Sequence, residues 1–180
     1  MNFFIADTHF GHEGIIRLCD RPYASLPEMD YSMITAWNER VTWNDTVYII
    51  GDLMYRCEEP RNILMRLHGK KRLIIGNHDG SWMSKVDVQR YFLSADLMLE
   101  LSDGQRGLTL CHYPLMTWKR EKKTYMIHGH IHNNTDADYW PLLLERDHLL
   151  NAGADINGFA PVTFEELIDN NRRWKAAHSN

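Results

Sequence analysis

Seven short apolar runs, each bounded by Gly, Pro, Asn or Asp, are the sequence feature that most constrains the fold of this chain. Short apolar runs with such boundaries predict β-strands. The predicted strands are Phe3–Ala6, Val47–Ile50, Leu73–Ile75, Leu97–Leu101, Leu108–Cys111, Tyr125–Ile127 and Leu149–Leu150. The chain is therefore expected to be built on β-sheets.

The segments between the predicted strands differ in the two halves of the chain. In the first half, Pro27–Val41 and Pro60–Leu67 have helical spacing, and alternating strands and helices predict parallel pairing. In the second half the strands follow one another through short loops, which predicts antiparallel or mixed pairing. Thr163 followed three residues later by Glu166 is a capping-box pattern that predicts a final helix. We expect an α/β protein with two sheets and flanking helices.

Length and charge limit the domain organisation and the partners. The chain has 180 residues and a formal net charge of -4. Two separate cores would each be small and poorly buried at this length, so a single domain over residues 1–180 is predicted. Because no global basic field would attract nucleic acid or a membrane surface, neither is expected as a stable partner. The composition does not predict the oligomeric state.

The cysteines and the N-terminal residues bear on the cellular compartment. Cys19, Cys57 and Cys111 are odd in number and form no CxxC pair, which argues against a disulfide framework and against a thiolate zinc site. The opening "MNFFIADTHF" lacks the basic and apolar regions of a signal peptide, and no stretch approaches the roughly 20 apolar residues of a membrane span. A cytoplasmic location is therefore expected.

Polar side chains follow the predicted strands at the points where the strands end. Ligands of open α/β sheets gather beyond the carboxyl ends of strands, so one cleft could collect all of these side chains. They are Asp7 and His9, then Asp52, then Asn77, His78 and Asp79, then His112, and finally His130 and His132.

The residue types indicate what this cleft would bind. Carboxylate, carboxamide and imidazole groups together suit Mn, Fe or Zn, whereas Mg and Ca usually prefer oxygen alone. Seven of these nine side chains are assigned below as ligands, and seven exceed what one ion usually takes from a protein. Two ions roughly 3.5 to 4 Å apart, bridged by a carboxylate and a hydroxide, would use all seven and would clamp both oxygens of a phosphoryl transfer. The set therefore predicts a hydrolase site.

The order of the motifs resembles a known family. "DTH" at 7–9, "GD" at 51–52, "GNHD" at 76–79, "H" at 112 and "GHIH" at 129–132 resemble the metal signature of the calcineurin-like metallophosphoesterases. The segments "DTHFGHEGII", "CHYP" and "NAGADINGFAPVTFEEL" resemble a compact prokaryotic and phage branch of that family. The resemblance runs from Asp7 to about Leu167. It implies a two-sheet β-sandwich flanked by helices, in four layers ordered αββα.

The resemblance also implies a role for each motif residue. The implied cofactors are two divalent transition-metal ions, with Mn expected and Fe, Zn or Ni as alternatives. His78 resembles a histidine that binds the phosphate and helps to protonate the leaving oxygen. The implied ligands are Asp7, His9 and His132 for the first ion, Asn77, His112 and His130 for the second, and Asp52 as the bridge.

Two positions near the "GD" motif depart from the pattern of the family. Many relatives carry a second aspartate that supports the catalytic histidine, but position 55 of this chain is Tyr. Another acceptor would then have to orient His78, and Asp79 is a weak candidate because its backbone could direct it away. Arg56 falls where the phosphoprotein phosphatases carry a phosphate-binding arginine, although Cys57 breaks their motif. Arg56 is therefore a candidate substrate-binding residue.

Further candidates for substrate binding have structural alternatives. His12 could begin a helix beside the metals and donate to phosphate, or could simply cap or pack the helix. Trp118, Lys119 and Arg120 open the segment "WKREKK", which could stack a base and screen phosphates, or could be an exposed charged turn. His128 is expected to be a packed or outer-shell residue instead of a ligand.

The predicted function is a metal-dependent phosphoesterase. It would hydrolyse a phosphodiester or phosphomonoester by attack of a metal-bridging hydroxide. A chain of 180 residues leaves little room for a capping domain, which favours an open cleft and a small phosphorylated substrate, such as a nucleotide or a nucleic-acid end. The alternatives are a non-catalytic scaffold of the same fold, although no ligand is missing, and a protein phosphatase, which Arg56 alone suggests.

Overall fold

The computed structural model describes residues 1–179 and contains two four-stranded sheets. The strands are β1 (Asn2–Ile5), β2 (Thr46–Ile50), β3 (Lys70–Ile74), β4 (Phe92–Asp96), β5 (Met98–Ser102), β6 (Gly107–Cys111), β7 (Tyr125–His128) and β8 (Leu149–Asn151). The α-helices are α1 (Glu13–Leu18), α2 (Leu26–Arg40), α3 (Pro60–Arg66), α4 (Gly80–Met83), α5 (Trp140–Leu144) and α6 (Phe164–Ala177). Val88–Arg90 and Ala154–Ile156 form short 3₁₀ helices.

The two sheets have the pairing that the connections predict. The first sheet has the order β1-β2-β3-β4, and all of its strands are parallel. The second has the order β5-β6-β7-β8, in which β5 and β6 are antiparallel while β6, β7 and β8 are parallel. Parallel pairing in the first half and mixed pairing in the second half are therefore confirmed. As a result, the carboxyl ends of the parallel strands lie together at one end of each sheet.

Alternation along β1 shows how the sheets and helices form four layers. Phe3 and Ile5 lie in a core with Trp37 of α2 and with α3, on the outer face of the first sheet. Phe4 faces the other way and packs in a second core with Leu110 of β6, between the two sheets. A third core joins the outer face of the second sheet to α5. The α/β class and the two-sheet, four-layer αββα arrangement are confirmed.

Element boundaries agree with the sequence where the apolar pattern is strong and disagree where it is weak. Helix α6 follows Thr163, and the predicted capping box is present: Glu166 accepts from the Thr163 backbone N–H at 2.8 Å, and Thr163 Oγ1 accepts from the Glu166 N–H at 3.3 Å. Strand β4 was not predicted, because this edge strand has only Phe92 fully buried and lacks an apolar run.

Two further expectations concern the cysteines and membrane segments. Cys19, Cys57 and Cys111 are free thiols. Over residues 1–179, the helices are all too short or too polar to cross a membrane.

Candidate metal centre

The carboxyl ends of β1, β2, β6 and β7 are joined by backbone hydrogen bonds. The Asp7 N–H donates to the Gly51 carbonyl at 3.0 Å, which links the loops after β1 and β2. The Gly129 N–H donates to the His112 carbonyl at 2.9 Å, which links the loops after β6 and β7. The His130 N–H donates to the Asp7 carboxylate at 2.9 and 3.0 Å and so connects the two sheets. These contacts fix the positions of the side chains that follow the strands.

The structure brings the seven candidate ligands into one cluster with two overlapping groups. One ligand atom each from Asp7, His9 and His132 lies within 4.8 Å of the others, and the same holds for Asp7, Asp52 and His112. The remaining two candidates join the second group, because Asn77 Oδ1 lies 3.0 Å from His112 Nε2 and 3.0 Å from His130 Nδ1.

Asp52, a member of the second group, also faces the first group. Its Oδ2 is 3.6 Å from His9 Nε2 and 3.3 Å from His112 Nε2. Its Oδ1 accepts a hydrogen bond from the His78 backbone N–H at 2.9 Å. One carboxylate thus faces a member of each group, as a bridging ligand would.

His9 has a nitrogen atom in this cluster that is free to bind a metal ion. Its Nε2 is buried and has no hydrogen-bond partner among residues 1–179. Burial lowers the pKa of His9 to about 2, so the imidazole is neutral and can present a lone pair. Because a buried polar atom without a partner is costly, a cation at this position would satisfy it. The donor set of carboxylate, carboxamide and imidazole groups therefore fits transition-metal ions.

The pKa values of several ionisable groups in the cluster differ from their ordinary values. Burial raises the pKa of Asp7 to about 6. For Asp52, hydrogen bonds from His112 and from the His78 N–H outweigh burial and lower the pKa to about 2. For His132, the hydrogen bond to Asp155 outweighs burial and raises the pKa to about 10. Bound cations would stabilise the ionised carboxylates and the neutral imidazoles that ligation requires.

Five of the seven candidate ligands have left-handed backbone. Such φ angles are uncommon for residues other than glycine and cost roughly 1–3 kcal/mol each, so they persist where the surrounding structure enforces them. The φ angles are 54° for Asp7, 52° for His9, 54° for Asp52, 74° for His130 and 51° for His132. This clustering of strain is typical of functional sites.

Two motif glycines allow the loops to approach the ligands closely. Gly51 has a φ of 82°, and a Cβ atom at this position would collide with the His112 ring. A Cβ atom on Gly129 would lie 2.6 Å from Asp7 Oδ2. The glycines of the "GD" and "GHIH" motifs thus leave space that the candidate ligands occupy.

Asp79 holds the loops and does not orient His78. Its side chain is fully buried, and its carboxylate has four donors, none of which is the His78 imidazole. The donors are the backbone N–H groups of Asp52 at 2.8 Å, Leu53 at 2.9 Å and Gly76 at 2.8 Å, and the Trp82 indole N–H at 2.7 Å. The suggestion that Asp79 is the acceptor for His78 is therefore wrong. Asp79 instead ties the "GD" loop to the "GNHD" loop.

Tyr55 contacts His78, the histidine that an aspartate at position 55 would be expected to support. The centroids of the Tyr55 and His78 rings are 4.8 Å apart, with an interplanar angle of 85°. The centroids of the Tyr55 and His12 rings are 4.2 Å apart, and Arg56 Cζ lies 5.2 Å from the centroid of the Tyr55 ring. His78 Nε2 is 3.9 Å from Asp52 Oδ2. His78, His12 and Arg56 are thus grouped around Tyr55, beside the cluster of candidate ligands.

His12 occupies the N-cap position of α1, but its side chain makes no capping hydrogen bond. His12 therefore caps the helix by position only, and its ring packs against Tyr55. Its Nδ1 instead lies 3.3 Å from His9 Nδ1. His12 contacts a candidate ligand directly and retains partial exposure next to the cluster.

The segment that begins at Trp118 uses its side chains within the fold. The Trp118 indole N–H donates to Thr124 Oγ1 at 3.1 Å, and the ring packs against the third core. Lys119 forms an ion pair with Glu100 of β5 at 2.7 Å, and Arg120 sits in a turn with a φ of 57°. Within residues 1–179, none of the three forms a hydrogen bond or ion pair with a candidate ligand. Nucleotide binding by this segment stays a prediction.

Asp155 and Tyr113 lie next to candidate ligands and were not predicted from the sequence. Asp155 Oδ2 accepts a hydrogen bond from His132 Nδ1 at 2.8 Å, and the Tyr113 ring lies 4.5 Å from the His130 ring. Asp155 lies beyond the end of β8, in the 3₁₀ helix Ala154–Ile156. The strand-end argument does not single it out, because its contact depends on how the loop after β8 meets the loop after β7.

Comparisons with known proteins give relatives in archaea, bacteria and phages. The chain is 30% identical over 169 residues to the uncharacterized protein MJ1445 of Methanocaldococcus jannaschii, covering 92% of this chain and 88% of that protein. It is 28% identical over 158 residues to the Gene 66 protein of Mycobacterium phage D29, covering 73% and 78% of the two chains. The chain matches no family model.

A solved structure has a closely similar backbone. The crystal structure of AQ665, a protein of unknown function from Aquifex aeolicus, superposes with a TM-score of 0.72 at 26% sequence identity. The alignment covers 94% of this chain and 98% of AQ665. The two proteins therefore share the same overall fold.

Proposed function

We propose that this chain, which belongs to the same family as the uncharacterized protein MJ1445 of Methanocaldococcus jannaschii, is a metal-dependent phosphoesterase. This is the activity that its candidate metal centre favours. The proposal rests on the position of Asp52, whose Oδ2 lies 3.6 Å from His9 Nε2 and 3.3 Å from His112 Nε2. One carboxylate between two groups of nitrogen and oxygen ligands is what a pair of ions needs as a bridge. The resemblance of the five motifs to the calcineurin-like metallophosphoesterases supports the same conclusion.

Two divalent ions would be bound by the seven candidate ligands. The first ion would bind Asp7, His9 and His132, the second would bind Asn77, His112 and His130, and Asp52 would contact both. Manganese is our preferred metal, with iron, zinc or nickel as alternatives, because mixed imidazole and oxygen ligands suit all four. When bound, such a pair lowers the pKa of a coordinated water and neutralises charge on the transferring phosphoryl group.

His78 would act on the substrate beside the ions. Its backbone N–H donates to Asp52 Oδ1 at 2.9 Å, which holds the loop in place while the imidazole remains 39% exposed. An imidazole can carry a proton where a phosphate binds. It would donate that proton to the oxygen that departs, and its charged form would bind the phosphate.

The substrate class proposed is a small phosphodiester or phosphomonoester, such as a nucleotide or an exposed nucleic-acid end. His78, Asn77 and His130 each retain exposure to solvent, so a phosphate could approach the cluster from outside. Arg56, packed against Tyr55, is also exposed and could contact the phosphate or a neighbouring group. The alternative function of a protein phosphatase rests on Arg56 alone. The alternative of a non-catalytic scaffold would leave the complete set of candidate ligands unexplained.

Elemental analysis and a substrate panel test this function together. Protein purified without chelator should contain close to two equivalents of transition metal per chain. After reconstitution with Mn²⁺, it should hydrolyse at least one class in a panel of aryl and nucleotide monoesters, diesters and cyclic nucleotides. Asp52→Asn should lower the content of both ions and abolish turnover, because it removes the charge that bridges them.

Asp169→Asn is a matched control for this change. Asp169 forms an exposed ion pair with Arg172 on α6 and lies outside the metal cluster, so its loss should leave metal content and turnover unchanged. A protein that binds two ions but hydrolyses nothing would favour the scaffold. Full occupancy of both ions in Asp52→Asn would show that Asp52 is not the bridge.

A further inference from the structure

Arg21 and Asp155 form a buried ion pair directly behind the first candidate metal group. Arg21 Nε donates to Asp155 Oδ1 at 2.8 Å, and Arg21 Nη2 donates to Asp155 Oδ2 at 3.2 Å. The two side chains are 0% and 1% exposed. A buried pair of this kind contributes little net stability over an apolar pair of similar size, so it is expected to have a further role.

Asp155 contacts a candidate ligand on the side away from the cluster. Its Oδ2 accepts from His132 Nδ1 at 2.8 Å. A carboxylate at this nitrogen keeps the proton on Nδ1 and leaves the Nε2 lone pair free for a cation. The same contact fixes the rotation of the imidazole ring, which cannot turn without losing the hydrogen bond.

Arg21 holds the loop that carries the other two ligands of this group. Its Nη2 donates to the Asp7 carbonyl at 2.7 Å, and its Nη1 donates to the Thr8 carbonyl at 2.8 Å. Asp7 and His9, on either side of Thr8, have left-handed backbone, so this segment needs external contacts to keep its conformation. One guanidinium therefore connects the strained "DTH" loop to the carboxylate that orients His132.

The ligands that belong to the second group alone have no such connection, although Asp7 is a member of both groups. His112 Nδ1 contacts the Ile50 carbonyl at 2.9 Å, and neither Asn77 nor His130 contacts Arg21 or Asp155 through a hydrogen bond within residues 1–179. Among the candidate ligands, the buried pair thus contacts only Asp7 and His132, which are both members of the first group.

We propose that Arg21 and Asp155 are positioning residues of the first metal site, which hold Asp7, His9 and His132 in the geometry that binds the ion. Asp155 sets the proton position and orientation of His132, while Arg21 fixes the "DTH" loop and the carboxylate of Asp155. This inference rests on the proposed function only in requiring that the cluster bind metal. It requires no particular substrate.

A titration of metal-free protein with Co²⁺ tests the proposal without any substrate. Cobalt absorbs visible light when bound by imidazole and carboxylate ligands, so each binding step can be followed, and elemental analysis gives the stoichiometry. In Asp155→Asn, one of the two equivalents should bind about 10- to 100-fold more weakly, which is the usual effect of losing an outer-shell partner. The other equivalent should bind as in the unchanged protein. Arg21→Lys should show the same selective loss, because a lysine cannot replace the two-pronged contact.

Asp169→Asn is again the control, since it removes an exposed carboxylate of the same type from α6. Its Co²⁺ titration should match that of the unchanged protein. Equal weakening of both equivalents in Asp155→Asn would mean a general structural role and would overturn the proposal, as would an unaltered titration. If the unchanged protein bound no Co²⁺, both this inference and the proposed function would fail.

A second measurement covers the case in which Asp155→Asn does not fold. The ¹⁵N spectrum of the unchanged protein loaded with Zn²⁺ reports which nitrogen of His132 carries the proton. We expect a slowly exchanging proton on Nδ1, held by Asp155. A proton on Nε2, or rapid exchange at Nδ1, would overturn the proposal even though the protein is intact.

Discussion

The Tyr55 ring packs edge-on against His78, with centroids 4.8 Å apart and planes at 85°. The resemblance to the calcineurin-like metallophosphoesterases would lead one to expect an aspartate at this position, which would hold the histidine through a hydrogen bond. In this chain an aromatic contact takes that place, and the same ring also contacts His12. The orientation of His78 therefore depends on packing, and the hydroxyl of Tyr55 forms no hydrogen bond in the described part of the chain.

We expect Tyr55→Ala to lower turnover while Tyr55→Phe leaves it nearly unchanged. The alanine variant removes the ring that limits the movement of His78, and misplacement of a catalytic group by about 1 Å can cost roughly 10²-fold. The phenylalanine variant keeps the ring and removes only the hydroxyl. Steady-state kinetics at saturating Mn²⁺ would measure both. A loss of equal size in the two variants would show that the hydroxyl matters and that packing alone does not position His78.

Gly129→Ala should weaken metal binding and destabilise the protein. The added Cβ would lie 2.6 Å from Asp7 Oδ2 and 2.7 Å from the Ala6 Cβ, so the carboxylate or the loop must move. Overpacking of this kind typically costs about 1–3 kcal/mol of unfolding free energy. Urea unfolding of the metal-free protein and a Mn²⁺ titration would measure the two effects.

Gly80→Ala provides the control for this substitution. A Cβ on Gly80 would have no neighbouring atom within 4 Å, so its unfolding free energy should stay within about 0.5 kcal/mol of the unchanged protein. An unchanged Mn²⁺ affinity in Gly129→Ala would mean that Asp7 is not a ligand or that its loop adapts freely.

The fold could be predicted from the sequence because its strong signals are local. Apolar runs predicted seven of the strands, and the pair Thr163 and Glu166 predicted the start of α6. Edge strand β4 was missed because most of its side chains are partly exposed and its sequence has no apolar run. Local patterns therefore predict buried elements better than edges.

The candidate ligands could be predicted because each one lies within a few residues of the carboxyl end of a strand, whereas their supporting residues could not. Asp155 supports His132 from 23 positions away, and Arg21 supports Asp7 through its backbone carbonyl. Asp79 was named, but its carboxylate accepts from the backbone of the neighbouring loop and not from His78. Such contacts depend on how loops from separate strands meet, and the sequence does not show that geometry.

Glu166 should make the stability of the protein depend on pH in acid. Burial opposes its ionisation, but hydrogen bonds from the Thr163 backbone and from Arg40 outweigh burial and lower the pKa of Glu166 below the ordinary 4.5. The folded state therefore binds fewer protons than the unfolded state in this range. The stabilisation is complete above pH 4.5 and is lost as the pH falls through the lowered folded pKa.

The difference in unfolding free energy between the unchanged protein and Glu166→Gln measures this effect. Metal-free protein should be used, so that metal release does not contribute. Glutamine keeps an oxygen that can accept from the Thr163 N–H, so the change removes mainly the charge that pairs with Arg40. Above the ordinary pKa, the difference should therefore be about 1 kcal/mol or less, the usual value of an exposed ion pair, and it should shrink as the pH falls below 4.5. A difference that is constant with pH would mean that the charge of Glu166 is not responsible.

His78 and its neighbour Asn77 should respond differently to alanine substitution. Asn77 Oδ1 lies 3.0 Å from both His112 Nε2 and His130 Nδ1, whereas His78 Nε2 stands 3.9 Å from Asp52 and is partly exposed. Asn77→Ala should therefore lower occupancy of the second ion, as elemental analysis would show. His78→Ala should retain both ions and lose turnover by roughly 10²- to 10⁴-fold, the range for a positioned general acid.

The dependence on the leaving group separates a proton donor from a residue that only binds phosphate. An alkoxide needs a proton as it departs, but a nitrophenolate does not, so the loss in His78→Ala should be much smaller for nitrophenyl esters than for alkyl esters. A residue that only binds phosphate would affect both esters equally, because the phosphate is the same in each. If His78→Ala loses metal as Asn77→Ala does, or is equally impaired on both esters, His78 is not the general acid.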